Sequence, residues 1–73
     1  MKYRIYRITL NNGDWYEVGS SQRSWAIGSL ANMHYGGMSL AEFKRTYKPS
    51  AKDTGERTYL MGPITSNTYY EAD

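Results

Sequence analysis

Residues 3–10, Tyr-Arg-Ile-Tyr-Arg-Ile-Thr-Leu, mix apolar and polar positions and are rich in β-branched and aromatic types, which predicts a strand. Asn11-Asn12-Gly13 interrupts the pattern and Trp15-Tyr16-Glu17-Val18 resumes it. A three-residue loop with glycine in the left-handed position fits a type I turn followed by a bulge. That turn pairs Leu10 with Asp14, Ile8 with Tyr16, Arg7 with Glu17 and Tyr6 with Val18. One face of the hairpin then collects Tyr6, Ile8, Leu10, Tyr16 and Val18, and the other collects Arg7, Thr9, Trp15 and Glu17. A two-residue turn at Asn12-Gly13 would move Trp15 to the first set, because a one-residue slip turns every side chain over. The apolar phase also changes near the start, from Tyr3 and Ile5 to Tyr6, Ile8 and Leu10. This predicts either a bulge near Ile5 or a strand covered on both faces, and therefore central in its sheet.

Gly19-Ser20-Ser21 reads as a loop and helix cap. From Gln22 the period becomes helical, with Ala26, Ile27, Leu30, Met33 and His34 on one stripe. Gly36-Gly37 ends this helix, with one of the two expected in the left-handed cap position. Gly28 falls inside it at a cost of about 1 kcal/mol relative to Ala, which suggests a close neighbour there. Ser39-Leu40-Ala41-Glu42 is a capping box, with Met38 and Phe43 as its hydrophobic staple. The second helix is expected from about Leu40 to Tyr47, stopped by Pro49, with Leu40, Phe43 and Tyr47 inward and Lys44, Arg45 and Lys48 outward. Residues 49–56 are polar turn formers and read as a mobile loop. Arg57 to Met61 reads as a third strand, Gly62-Pro63 as a break, and Ile64 to Tyr70 as a fourth strand weakened by Ser66-Asn67. The tail, Glu71 to Asp73, is expected to fray. The predicted fold is α+β: a small antiparallel sheet, made of the N-terminal hairpin plus C-terminal strands, with two short helices on one face. The order is β-β-α-α-β-β.

At 73 residues the chain is expected to be a single domain, 1–73, with a marginal core. It has no Cys, hence no disulfide and no thiolate metal site, so a homodimer or a bound partner is the remaining way to cover more apolar surface. Nine Lys and Arg against seven acidic residues leave a mild net charge of +2. No apolar run approaches the roughly 20 residues of a membrane span, and Met1-Lys2-Tyr3-Arg4 does not open a signal peptide. The expectation is an unprocessed cytoplasmic protein without a membrane partner. One His, scattered carboxylates and no Cys leave no legible nucleophile, acid–base pair or metal cluster. No cofactor motif is present either, so no enzymatic activity is expected. His34 reads as a structural residue of the first helix.

Two kinds of partner remain. Lys2, Arg4 and Arg7 are interleaved with Tyr3 and Tyr6, while Lys44, Arg45, Lys48 and Lys52 gather near the end of the second helix. Cations track phosphates and aromatics stack on unpaired bases, so a nucleic-acid partner is the alternative reading. The same cations near a helix C-terminus also complement its dipole. The leading reading is a protein partner. Eight Tyr and two Trp are many for this length, and the preferred hairpin leaves Trp15 beside Arg7 on the outer face. Trp, Tyr and Arg are the usual interface anchors. The candidate partner-binding residues are Arg7, Trp15, Lys44, Arg45, Lys48, Tyr69 and Tyr70.

In size, aromatic richness and lack of Cys and of catalytic groups, the chain resembles small accessory proteins of phages and mobile elements, including anti-CRISPR inhibitors. The resemblance implies an inhibitor that blocks a surface of a host protein or complex in the host cytoplasm. It carries over no individual residue. Many such inhibitors are strongly acidic mimics of nucleic acid; a net charge of +2 points instead to steric or hydrophobic blocking.

Overall fold

The computed structural model describes residues 2–67. Four strands and two helices follow one another as β1 (Tyr3–Thr9), β2 (Trp15–Ser20), α1 (Arg23–His34), α2 (Leu40–Tyr47), β3 (Ser50–Thr58) and β4 (Gly62–Ser66). This is the expected α+β order, with one antiparallel sheet. The strands lie side by side as β3-β1-β2-β4, so the N-terminal hairpin is central and the two late strands form the edges.

The hairpin has the register that its hydrophobic pattern predicts. Tyr6 faces Val18, Arg7 faces Glu17 and Ile8 faces Tyr16. Leu10 N–H donates to the Asp14 carbonyl at 2.8 Å, and Gly13 takes the positive φ of 94° that the three-residue loop requires. Tyr6, Ile8, Leu10, Tyr16 and Val18 therefore share one face. They form the core with Ala26, Leu30 and Ala31 of α1 and Phe43 of α2. Ile8, Val18, Leu30 and Phe43 are fully buried. Burial of such side chains contributes about 1.5–3 kcal/mol each.

The phase change near Ile5 has both of its predicted causes. Against β3 the register shifts between Arg4 and Tyr6, with Thr54, Gly55 and Glu56 looping past Ile5. Thr54 Oγ1 donates to the Ile5 carbonyl at 2.9 Å, and Gly55 adopts φ 86° to make the bulge. Ile5 is also buried although it lies on the face opposite the helices.

Several boundaries differ from expectation. Gly19 and Ser20 belong to β2, not to a loop, and α1 starts after Gln22, which makes no side-chain cap. The apolar stripe of α1 stops short of Met33 and His34, which are exposed, and Ala31 takes the last inward position instead. A Cβ on Gly28 would meet nothing within 4 Å, so no neighbour explains that glycine. Neither Gly36 nor Gly37 has a positive φ; α1 ends on Tyr35 at φ −132°. The start of α2 is as predicted, with Ser39 Oγ accepting from the Glu42 N–H at 3.2 Å. Its end is a left-handed Lys48 directly before Pro49. Leu40, expected inward, is 43% exposed.

The largest correction concerns residues 50–56, which belong to the longest strand and not to a mobile loop; Arg57 and Thr58 are strand as expected, while Tyr59 to Met61 are not. Gly62-Pro63 is no break but the start of β4. Pro63 is tolerated because β4 is an edge strand and needs donors on one side only. Residues 68–70, expected to extend that strand, lie outside the described residues. No helix among the described residues is long and apolar enough to cross a membrane.

Candidate functional site

The helices cover one face of the sheet and leave the other open. On the open face the pleat places Arg7, Thr9, Trp15 and Glu17 from the hairpin, with Ser50 and Lys52 from β3. Arg7 and Trp15 are diagonal neighbours across the hairpin. The guanidinium carbon of Arg7 lies 4.1 Å from the centroid of the Trp15 ring system, a cation–π contact. Glu17 is directly opposite Arg7, yet among the described residues no ion pair joins them. Trp15 is held at its backbone by Asn67, whose Oδ1 accepts from the Trp15 N–H at 3.2 Å. The amide nitrogen of Asn67 donates in turn to Asp14 Oδ1 at 3.2 Å. The turn itself is tied to α2 by Asn11, which donates from its backbone to Tyr47 and from its side chain to Thr46. These bonds also satisfy carbonyls at the helix end.

One end of the open face is crossed by the connection from β3 to β4. These strands are on opposite edges, so residues 59–61 must pass over the hairpin between them. The passage is possible because position 19 is glycine. A Cβ there would collide with the Leu60 carbonyl oxygen and come within 2.9 Å of Thr58 Cγ2. Ile5, the cross-strand partner of Gly19, is buried in the same region. The backbone of this strap therefore sits close on the sheet, and its side chains turn away. Tyr59, Leu60 and Met61 are 71%, 64% and 68% exposed. Lys2 Nζ approaches the Tyr59 ring to 5.3 Å.

Of the sequence-predicted site residues, Arg7 and Trp15 meet on the open face. Lys44 and Arg45 are on α2, in the helical layer, and Lys48 caps its C-terminus; all three are exposed, but they do not join the first pair. Tyr69 and Tyr70 lie outside the described residues. The two expected basic clusters are both divided. Lys52 leaves the α2 cations and lies in register with Arg7. Arg4 leaves Arg7, because neighbouring strand residues of opposite parity point to opposite faces, and it joins Arg57 at Asp53 (3.7 and 3.5 Å). The strap residues were not legible as a site, since Tyr59-Leu60-Met61 has the composition of an ordinary strand.

The helical layer offers little comparable chemistry. The Tyr16 and Tyr35 hydroxyls are 2.9 Å apart beneath α1. Burial, then the hydrogen bond to Tyr16, pushes the Tyr35 phenol well above its ordinary range. His34 stacks near Tyr16 at 5.4 Å between ring centroids, at the exposed end of α1. Among the described residues no three His, Asp or Glu side chains converge as a metal site would need. No protein-family model, curated protein or solved structure matches the chain.

Proposed function

We propose that this chain is a non-enzymatic protein-binding module that presents its open sheet face to a partner protein. The observation that carries the reading is the strap: three consecutive large apolar or aromatic side chains, all more than 60% exposed on a backbone seated against Gly19. Single exposed apolar residues are ordinary, but a contiguous run marks an interaction surface. The Arg7–Trp15 stack supports the reading, since it presents two of the commonest anchor types in a fixed arrangement. In this reading the protein acts by occupying a surface, as an inhibitor or adaptor would, and its general likeness to small phage-encoded inhibitors points the same way. A nucleic-acid partner is less well supported. Asp53 engages Arg4 and Arg57, and Lys44 and Arg45 lie in the other layer, so the open face lacks a continuous basic track.

The test is capture from lysate of the source cell and of its natural host, with wild-type chain and with a Leu60→Ser, Met61→Ser variant. A protein retained by the wild type after nuclease treatment and lost with the variant is the expected result. Retention that nuclease abolishes would replace this reading with the nucleic-acid one.

A further inference from the structure

Beside the Arg7–Trp15 stack the open face is concave. Arg7, Thr9, Ser50, Lys52, Asp53 and Thr54 line a hollow of about 400 Å³. Two of these residues are cations on adjacent strands in direct register, about 5 Å apart across the ladder, and they project on the same side. Among the described residues neither has a carboxylate partner. The one acid in the lining, Asp53, is engaged by Arg4 and Arg57. Glu17 flanks Arg7 on its other side, but the guanidinium turns to the indole instead. Stacking on an aromatic face orients a planar guanidinium and leaves its N–H edges free for an oxyanion. The hydroxyls of Thr9 and Ser50 supply neutral donors in the same hollow.

We infer that this hollow is an oxyanion-binding site, and that it takes one side-chain carboxylate from an acidic segment of the partner protein. The assignment rests on the protein-binding reading above and names the partner's chemistry. The charge distribution favours a carboxylate over a phosphodiester chain. Only two unneutralised cations meet here, with Glu17 on the same row, which suits one anionic group and not a strand of them. The Gly19 row under the strap lies two residues along, about 7 Å away. An extended segment that places an acidic side chain in the hollow can therefore reach the apolar strap with its next side chain on the same face. The fitting partner segment carries an acidic residue and, two positions along on the same face, an apolar one.

The experiment is an amide chemical-shift titration of the full isotopically labelled chain at low salt with three probes. These are a capped peptide of repeated Glu-Ser-Leu-Ser, which puts Glu and Leu in turn on one face when extended, the same peptide with Gln in place of Glu, and a single-stranded oligothymidine of equal formal charge. The Glu peptide should shift the amides of Arg7, Thr9, Ser50 and Lys52 and the indole N–H of Trp15. It should bind about tenfold more tightly than the Gln peptide, as expected for a charge-assisted pair. R7Q should lose about that factor, K52Q somewhat less, and R7K should fall between wild type and R7Q because it keeps charge without the planar fork. Equal affinity for the two peptides, shifts centred elsewhere, or no saturation by the Glu peptide would overturn the assignment. Tighter, steeply salt-dependent binding of the oligothymidine at the same amides would overturn both the assignment and the protein-binding reading. If R7Q and K52Q capture the partner as well as wild type while the strap variant does not, the reading stands and the oxyanion site falls.

Discussion

The two faces of the sheet are built from the same two central strands and have opposite characters. Tyr6, Ile8, Tyr16 and Val18 of β1 and β2 point under the helices and form one core with Leu30 and Phe43, and among the described residues no buried side-chain nitrogen or oxygen lacks a partner. Most odd-numbered positions point to the open face, where Arg7 is exposed and Trp15 and Glu17 are half-buried. The covered face carries the stability, since burial of apolar area is the dominant favourable contribution to folding. The open face keeps a guanidinium on an indole, a hollow and a strap whose large side chains are exposed. The pleat thus lets one hairpin serve two purposes, and substitutions on the two sides should separate stability from binding.

The largest effect is expected from Phe43→Ala. Phe43 is fully buried among Tyr35, Tyr47 and the sheet, and removing its ring should cost about 4 kcal/mol. On a domain whose total stability is only several kcal/mol, the chain should be largely unfolded by circular dichroism at 37 °C. A cooperative transition close to wild type would mean that α2 is not part of the core. Gly19→Ala comes next and tests the open side. Its Cβ would meet backbone, which cannot swing away, so a loss of about 2–3 kcal/mol in denaturant unfolding is expected, together with shifted amides at Tyr59 to Met61. An unperturbed spectrum would show that the strap does not lie on Gly19.

A smaller effect distinguishes the faces by pH. Tyr35 holds its proton more tightly when folded than its ordinary value near 10. Above that pH the unfolded chain has lost a proton that the folded chain keeps, so folding stability falls as pH rises. The contribution is complete below pH 10 and is lost above it, at up to about 1.4 kcal/mol per pH unit. Urea unfolding at pH 9 and pH 11 should show this slope, and Tyr35→Phe should be less stable at pH 9 but flatter between the two. An equal slope in the variant would remove Tyr35 as its source. The smallest effect is expected from Leu60→Ser. Its side chain is mostly exposed, so unfolding should stay within about 0.5 kcal/mol of wild type even where partner capture is lost. A large destabilisation would turn the strap from a binding element into a core element and collapse the contrast between the faces.

Part of this arrangement was readable in advance, for local reasons. The hairpin register follows from alternation and from Gly13, and α2 follows from Ser39, Glu42 and Pro49, because turn and cap chemistry act within a few residues. The same register put Arg7 and Trp15 on one face before any contact was known. Strand β3 was not readable. Its sequence, Ser-Ala-Lys-Asp-Thr-Gly-Glu-Arg-Thr, buries almost nothing, so it carries no apolar alternation and is held chiefly by backbone hydrogen bonds to β1. An edge strand of this kind has the composition of a loop.

The sequence by itself therefore determined which residues turn, which cap and which side of the central hairpin is apolar, since these depend on neighbours in the chain. Tertiary structure alone decided that β3 and β4 take opposite edges, that their connection must cross the hairpin, and that only a glycine at position 19 leaves room for it. It also decided that Lys52 stands beside Arg7 while Arg4 turns to Asp53. Pairing between residues some 45 positions apart is set by strand order and parity, and no local pattern in the chain encodes it.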